Sequence, residues 1–264
     1  MTRAPNAVAE DTINDDPIQL FWTGGLDSTF RLLQILWERS RPVQPIYIED
    51  PNRPSLAREN ATRAKIRLAV LRDHPELAER FLEEKTYPRA DVVVHPEVRD
   101  GFRELASRFH VGGQYEFLAG FAREYAHGPI EVCFTRQPKT KKRTLNSYIE
   151  SLMQGTGHDC RIETDPPHPI FKDFRFPVIH VSKPEMEVMA NELGFESYLS
   201  ETWYCFRPTP DGQACGLCNP CRIARADGVE RNTRERSRIR LVVNELRESG
   251  KRTIRRAQVK LHLR

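Results

Sequence analysis

The chain has 264 residues, is 39% hydrophobic and 30% charged, and carries a formal net charge of +4. That balance excludes fibrous and wholly disordered classes, and the length allows one main domain with an appended subdomain. No run approaches the ~20 apolar residues of a membrane span, and residues 1–16 are polar and acidic, so the expectation is a cytoplasmic protein with a flexible N-terminal tail over 1–16 and no membrane partner.

Residues 17–22 read as a short buried strand, and 28–39 space Phe30, Leu32, Leu33, Leu36 and Trp37 along one helical face. A second strand fits 43–48, and 55–72 has helical composition. This β-α-β-α order implies an open parallel sheet with helices on both faces. Further along, 74–82 reads as helix, 90–95 as strand, 117–126 as helix, 130–135 as a third central strand, 144–153 as helix and 176–181 as a later strand. The helix opened by Ser182-Lys183-Pro184-Glu185 is the best punctuated: Ser182 can cap it, Pro184 suits its first turn, Glu185 stands three residues after the cap, and Gly194 stops it.

Two motifs carry chemistry. In Thr23-Gly24-Gly25-Leu26-Asp27-Ser28-Thr29, two glycines let the backbone approach an anion, and the following helix aims its free N–H groups at the same spot. Thr23, Ser28 and Thr29 add hydroxyl donors, and Asp27 can cap the helix or order the loop. No lysine stands in the loop, which separates it from the nucleotide-hydrolase pattern, and the alternative reading is an ordinary strand-to-helix turn. The second motif is Cys205, Cys215, Cys218 and Cys221 within a seventeen-residue window, while Cys133 and Cys160 stand alone. Four thiolates can close a tetrahedral zinc site with no open position, hence a structural one; reduced thiols and an iron–sulfur cluster are the alternatives. From Arg222 onward, fourteen Lys/Arg face five Asp/Glu, so this segment carries about +9 and the rest about −5. Such a tail suits nucleic acid, an acidic partner or a solvated helical face. His110, His168 and His180 read as structural, and Cys133 as core packing.

The loop resembles that of the PP-loop ATP pyrophosphatases, with Thr23 where that superfamily usually has Ser. Loop and cysteines together, with Phe176-Pro177-Val178, Ser182-Lys183-Pro184-Glu185 and Glu201-Thr202-Trp203-Tyr204-Cys205, resemble the 7-cyano-7-deazaguanine synthases (QueC-like). The resemblance implies an adenine nucleotide alpha hydrolase-like fold, a PP-loop domain over 17–200, and a zinc knot with a basic helical tail over 201–264. It implies ATP bound by residues 23–29, Asp27, Ser28 and Lys183 in catalytic roles, Mg²⁺ beside the phosphates, and Zn²⁺ on the four cysteines. The implied reaction adenylates a 7-deazaguanine carboxylate, releases pyrophosphate and passes the acyl group to ammonia. In a defence-system paralogue a protein amine takes ammonia's place, and a homodimer is the expected assembly. Glu49-Asp50-Pro51-Asn52-Arg53 and His110-Val111-Gly112-Gly113-Gln114-Tyr115 depart from the family's usual runs. So does the basic stretch after residue 135, where Arg136, Lys139, Lys141 and Arg143 replace a rather acidic substrate loop. A reversed sign there implies an altered acceptor, with a solvated loop as the alternative. A tRNA-modifying PP-loop enzyme and a non-catalytic zinc-bearing module are the rival readings.

Overall fold

The computed structural model describes residues 16–38, 41–136, 144–155, 159–235, 243, 246, 247 and 250. Strand β1 (Ile18–Phe21) alternates its faces: Ile18 and Leu20, with Trp22 beyond, enter one core, and Phe21 enters the other. Helix α1 (Leu26–Glu38) and helix α2 (Leu56–Asp73) flank strand β2 (Val43–Glu49), which runs parallel to β1. Strand β3 (Lys85–Pro88) completes that edge. Two helices follow, α3 (Pro96–Arg108) and α4 (Gln114–Tyr125), before the chain returns to the other side of β1 as β4 (Ile130–Glu131). Helix α5 (Leu145–Ser151) and a small antiparallel pair, β5 (Met153–Gln154) with β6 (Arg161–Ile162), precede the last parallel strand, β7 (Phe174–Arg175). Helices α6 (Lys183–Leu193), α7 (Glu196–Leu199) and α8 (Asn219–Ala226) close the described structure.

The five parallel strands lie in the order β3-β2-β1-β4-β7. One face packs α1, α2, α6 and α7 through Phe30, Leu33, Ile66, Val70, Met186 and Phe195; the other packs α3, α4 and α5 through Val98, Leu105, Phe121 and Ile149. The sheet is therefore covered on both faces, as all-parallel sheets require. Among the described residues no helix is long and apolar enough to cross a membrane.

The expected elements need four corrections. The third central strand, expected over 130–135, pairs in the sheet only at Ile130–Glu131. The stretch 74–82 is not a helix: Pro75–Leu77 makes a single 3₁₀ turn, and the next residues leave it to pair with β2, through Val43 N–H to Arg80 O at 2.8 Å and Leu82 N–H to Val43 O at 3.1 Å. The edge strand is Lys85–Pro88 rather than 90–95, because that is the register set by Ile46 to Glu49. Residues 176–181 turn instead of extending, with Ile179 N–H on Phe176 O and Val181 N–H on Val178 O, so the strand in that region is Phe174–Arg175. The α6 reading holds from end to end: the Glu185 carboxylate accepts from the Ser182 N–H at 2.8 Å and its hydroxyl at 2.6 Å, and Gly194 stops the helix at φ +82°.

Candidate active site

In the order β3-β2-β1-β4-β7, the chain builds outward from β1 on one side and then crosses to the other, so the sheet switches direction between β1 and β4. Ligands of open α/β sheets bind beyond the strand ends at such a point. A cavity of about 250 Å³ opens there, walled by Thr23, Gly25, Asp27 and Ser28 after β1 and by Val132 and Cys133 after β4.

The turn from β1 to α1 is fixed locally. Gly24 adopts φ +73°, a left-handed conformation, and a Cβ there would sit 3.1 Å from Arg63 Cγ. Trp22 Nε1 donates to Thr29 Oγ1 at 3.0 Å, and the Thr29 N–H reaches Gly25 O at 2.9 Å, which starts α1. Thr23 and Ser28 face each other: the Thr23 N–H donates to Ser28 Oγ at 3.4 Å, and the two hydroxyl oxygens are 3.5 Å apart. Thr23, Gly25, Leu26, Asp27 and Ser28 line the cavity, whereas Gly24 and Thr29 sit behind it as supports.

Lys183, the first residue of α6, enters the same cavity. Its Nζ stands 3.6 Å from Asp27 Oδ1 and 4.0 Å from Asp227 Oδ2. Burial pushes the Asp27 carboxyl above its ordinary range, the Lys183 charge pulls it back, and Asp227 pushes it up again. Asp27 Oδ1 is buried and has no hydrogen-bond partner among the described residues.

The cysteine segment forms the opposite wall. The four Sγ atoms of Cys205, Cys215, Cys218 and Cys221 lie within 4.8 Å of one another, with pairs at 3.4 and 3.8 Å. Zinc–sulfur bonds of ~2.3 Å in a tetrahedron imply sulfur–sulfur edges of ~3.8 Å, so the four could hold one zinc ion. Backbone N–H groups of Arg207 and Cys215 point at Cys205 Sγ, and those of Leu217 and Cys218 at Cys215 Sγ, which stabilises thiolate charge. Hydrogen bonding among the sulfurs raises the Cys205 and Cys221 thiols and lowers Cys218, as expected where clustered thiols share protons. The segment also grips the turn from β1 to α1: the Trp203 N–H donates to Gly24 O at 2.9 Å, and Tyr204, Phe206 and Pro220 line the cavity.

Several wall residues were given no role from the sequence, although Arg53 and Tyr115 fall in the two runs that depart from the family's usual pattern. Glu59 is buried in α2 and accepts from Tyr47 Oη at 2.9 Å, Ser55 Oγ at 2.6 Å and Arg53 Nε at 2.7 Å. Arg53 lies over the Phe206 ring at 4.9 Å and so bridges α2 to the cysteine wall. Tyr115, its hydroxyl pushed up to about 12 by burial, closes the side formed by α4. Arg136 forms an ion pair with Glu185 at the start of α6 and does not line the cavity. Lys139, Lys141 and Arg143 lie outside the described residues, as do tail residues 1–15 and most of the basic segment after 235.

Residues 169–233 match the family model "Queuosine biosynthesis protein QueC". The 7-cyano-7-deazaguanine synthase of Novosphingobium aromaticivorans is 44% identical over 50 residues, 19% of this chain and 21% of that protein. Those of Rhizorhabdus wittichii and Geobacter metallireducens are each 43% identical over 47 residues, 18% of this chain and 20% and 19% of theirs. The chain thus spans about a fifth of the length of the curated relatives it matches. It is QueC-like across Lys183 and the four cysteines, and residues 23–29 lie outside the segment matched by the family model.

Proposed function

We propose that this QueC-like chain uses ATP to adenylate the carboxylate of a 7-deazaguanine, releasing pyrophosphate, and passes the activated acyl group to an amine. The observation that carries this reading is convergence. A phosphate-type turn, a lysine and residues flanking the clustered cysteines (Tyr204, Phe206 and Pro220), drawn from distant parts of the sequence, face one cavity at the switch point of a parallel sheet. The N–H groups at the start of α1, with the Thr23 and Ser28 hydroxyls, are suited to receive phosphate oxygens. The Lys183 ammonium offsets the charge that grows on the leaving pyrophosphate as a substrate carboxylate oxygen attacks the α-phosphorus. Asp27, whose buried Oδ1 makes no hydrogen bond among the described residues, is the residue that would hold a Mg²⁺ ion, and the ion would supply neutralisation of phosphate charge. The four cysteines would hold a structural Zn²⁺.

The test is pyrophosphate release from ATP with 7-carboxy-7-deazaguanine, in the wild type and in Lys183→Ala. The wild type is expected to turn over, and the variant to lose about 10²-fold in kcat while keeping its melting temperature. No release by the wild type sinks the assignment. Mass spectrometry of products formed with ammonium or with a peptide amine then separates an amide or nitrile product from a protein conjugate.

A further inference from the structure

We propose that Asp227 is a positioning residue: from the end of α8 it holds the Lys183 ammonium in the row Asp27, Lys183, Asp227, and thereby ties the cysteine knot to the phosphate-type turn. The inference rests on the functional reading above for what Lys183 does, and adds a residue which that reading does not use.

Lys183 is 16% exposed and Asp227 9%, so both charges are largely withdrawn from water. Among the described residues, Lys183 is the one cation within 4.0 Å of the Asp227 carboxylate. The Nζ–O separations of 3.6 and 4.0 Å exceed hydrogen-bond reach. Charge therefore holds the lysine without locking it into a directed bond, and it stays free to turn toward a third anion in the cavity. The place of Asp227 is itself fixed. Helix α8 starts from the knot, with Cys218 at its N-cap and Cys221 in its first turn. It ends where the Val229 N–H bonds Ala224 O at 2.9 Å and Val229 enters the core. An acidic residue at the C-terminal end of a helix opposes the helix dipole, so the position brings Asp227 no local stabilisation. Its ion pair with Lys183 accounts for the carboxylate.

The row carries two negative charges and one positive. Removing Asp227's charge should therefore ease the approach of a polyphosphate while leaving Lys183 badly aimed, so that KM is lowered or unchanged while kcat falls.

Asp227→Asn and Asp227→Glu would be compared with the wild type for bound zinc, melting temperature, direct titration with ATP, and kcat and KM of pyrophosphate release. Asp227→Asn is expected to keep its zinc, to bind ATP as well as or better than the wild type, and to lose about tenfold in kcat. Asp227→Glu, which keeps the charge, is expected to recover at least a third of the wild-type kcat. A kcat within twofold of wild type in Asp227→Asn overturns the proposal. So does a joint loss of zinc, ATP binding and kcat in both variants, which would make Asp227 a structural residue. A wild type that neither binds ATP nor releases pyrophosphate overturns the functional reading and this inference with it; an active wild type with an indifferent Asp227→Asn overturns this inference alone.

Discussion

At the scale of single residues, the cavity concentrates charges that the fold tolerates rather than enjoys. Asp27 shows this best. Its carboxyl is raised by burial, so the ionised form is less welcome in the folded protein than in the unfolded chain. The stability tied to its protonated form is present below the unfolded-state value near 3.8 and is lost as pH rises through the higher folded-state value. Asp27→Asn removes this penalty. At pH 7 the variant should melt above the wild type, with the gap closing as pH falls toward 4, and it should release no pyrophosphate. Thermal melts across that range check the sign, and a variant that melts below the wild type at pH 7 refutes it.

At the scale of elements, what was legible in the sequence had a local cause. The turn at residues 23–29 needs a left-handed residue, and Gly24 supplies it; α6 has its cap at Ser182 and its stop at Gly194; the cysteine cluster is close in sequence and closer in space. The unread parts were settled elsewhere in the molecule. Strand β3 is mostly exposed and takes its conformation from pairing with β2, so no hydrophobic alternation marks it. Helix α3 went unread because its apolar positions, Val98 and Leu105, are diluted by charge. Arg53 and Glu59 reach the cavity, and Asp227 reaches Lys183, only through tertiary packing, and no spacing along the chain announces that. The packing of α4 carries its own prediction. A Cβ on Gly120 would fall 2.5 Å from the backbone oxygen of Val93, and backbone cannot swing aside as a side chain can. Gly120→Ala should therefore cost about 1–3 kcal/mol despite alanine's better helix propensity, as read by urea denaturation. Unchanged or increased stability would mean that the segment before α3 yields.

At the scale of the whole molecule, the knot and the sheet form one structure. The Trp203 N–H holds Gly24 O, Arg231 reaches Leu199 O at 2.6 Å, and Ala224 and Val229 complete the core beside α1. Metal at the four cysteines would then stabilise the phosphate-type turn as well as its own loop, since binding energy at a structural site is also folding energy. Purified protein is expected to carry about one zinc per chain. Cys218→Ser should lose it, melt lower and bind ATP more weakly even though Cys218 does not line the cavity. Metal analysis with parallel ATP titration checks this; iron in place of zinc, or ATP affinity indifferent to the loss, would refute it.

The bond between Trp203 and Gly24 joins positions about 180 residues apart, and that separation has a consequence for the order of events during synthesis. The glycine turn is made well before the segment that grips it, which follows all five strands of the sheet in the chain. A nascent chain stopped near residue 200 would possess the turn and lack both the opposite wall and the four clustered cysteines. The cavity would thus be completed only once the segment beyond residue 200 had been made, and a shorter chain would present the turn as an open ledge.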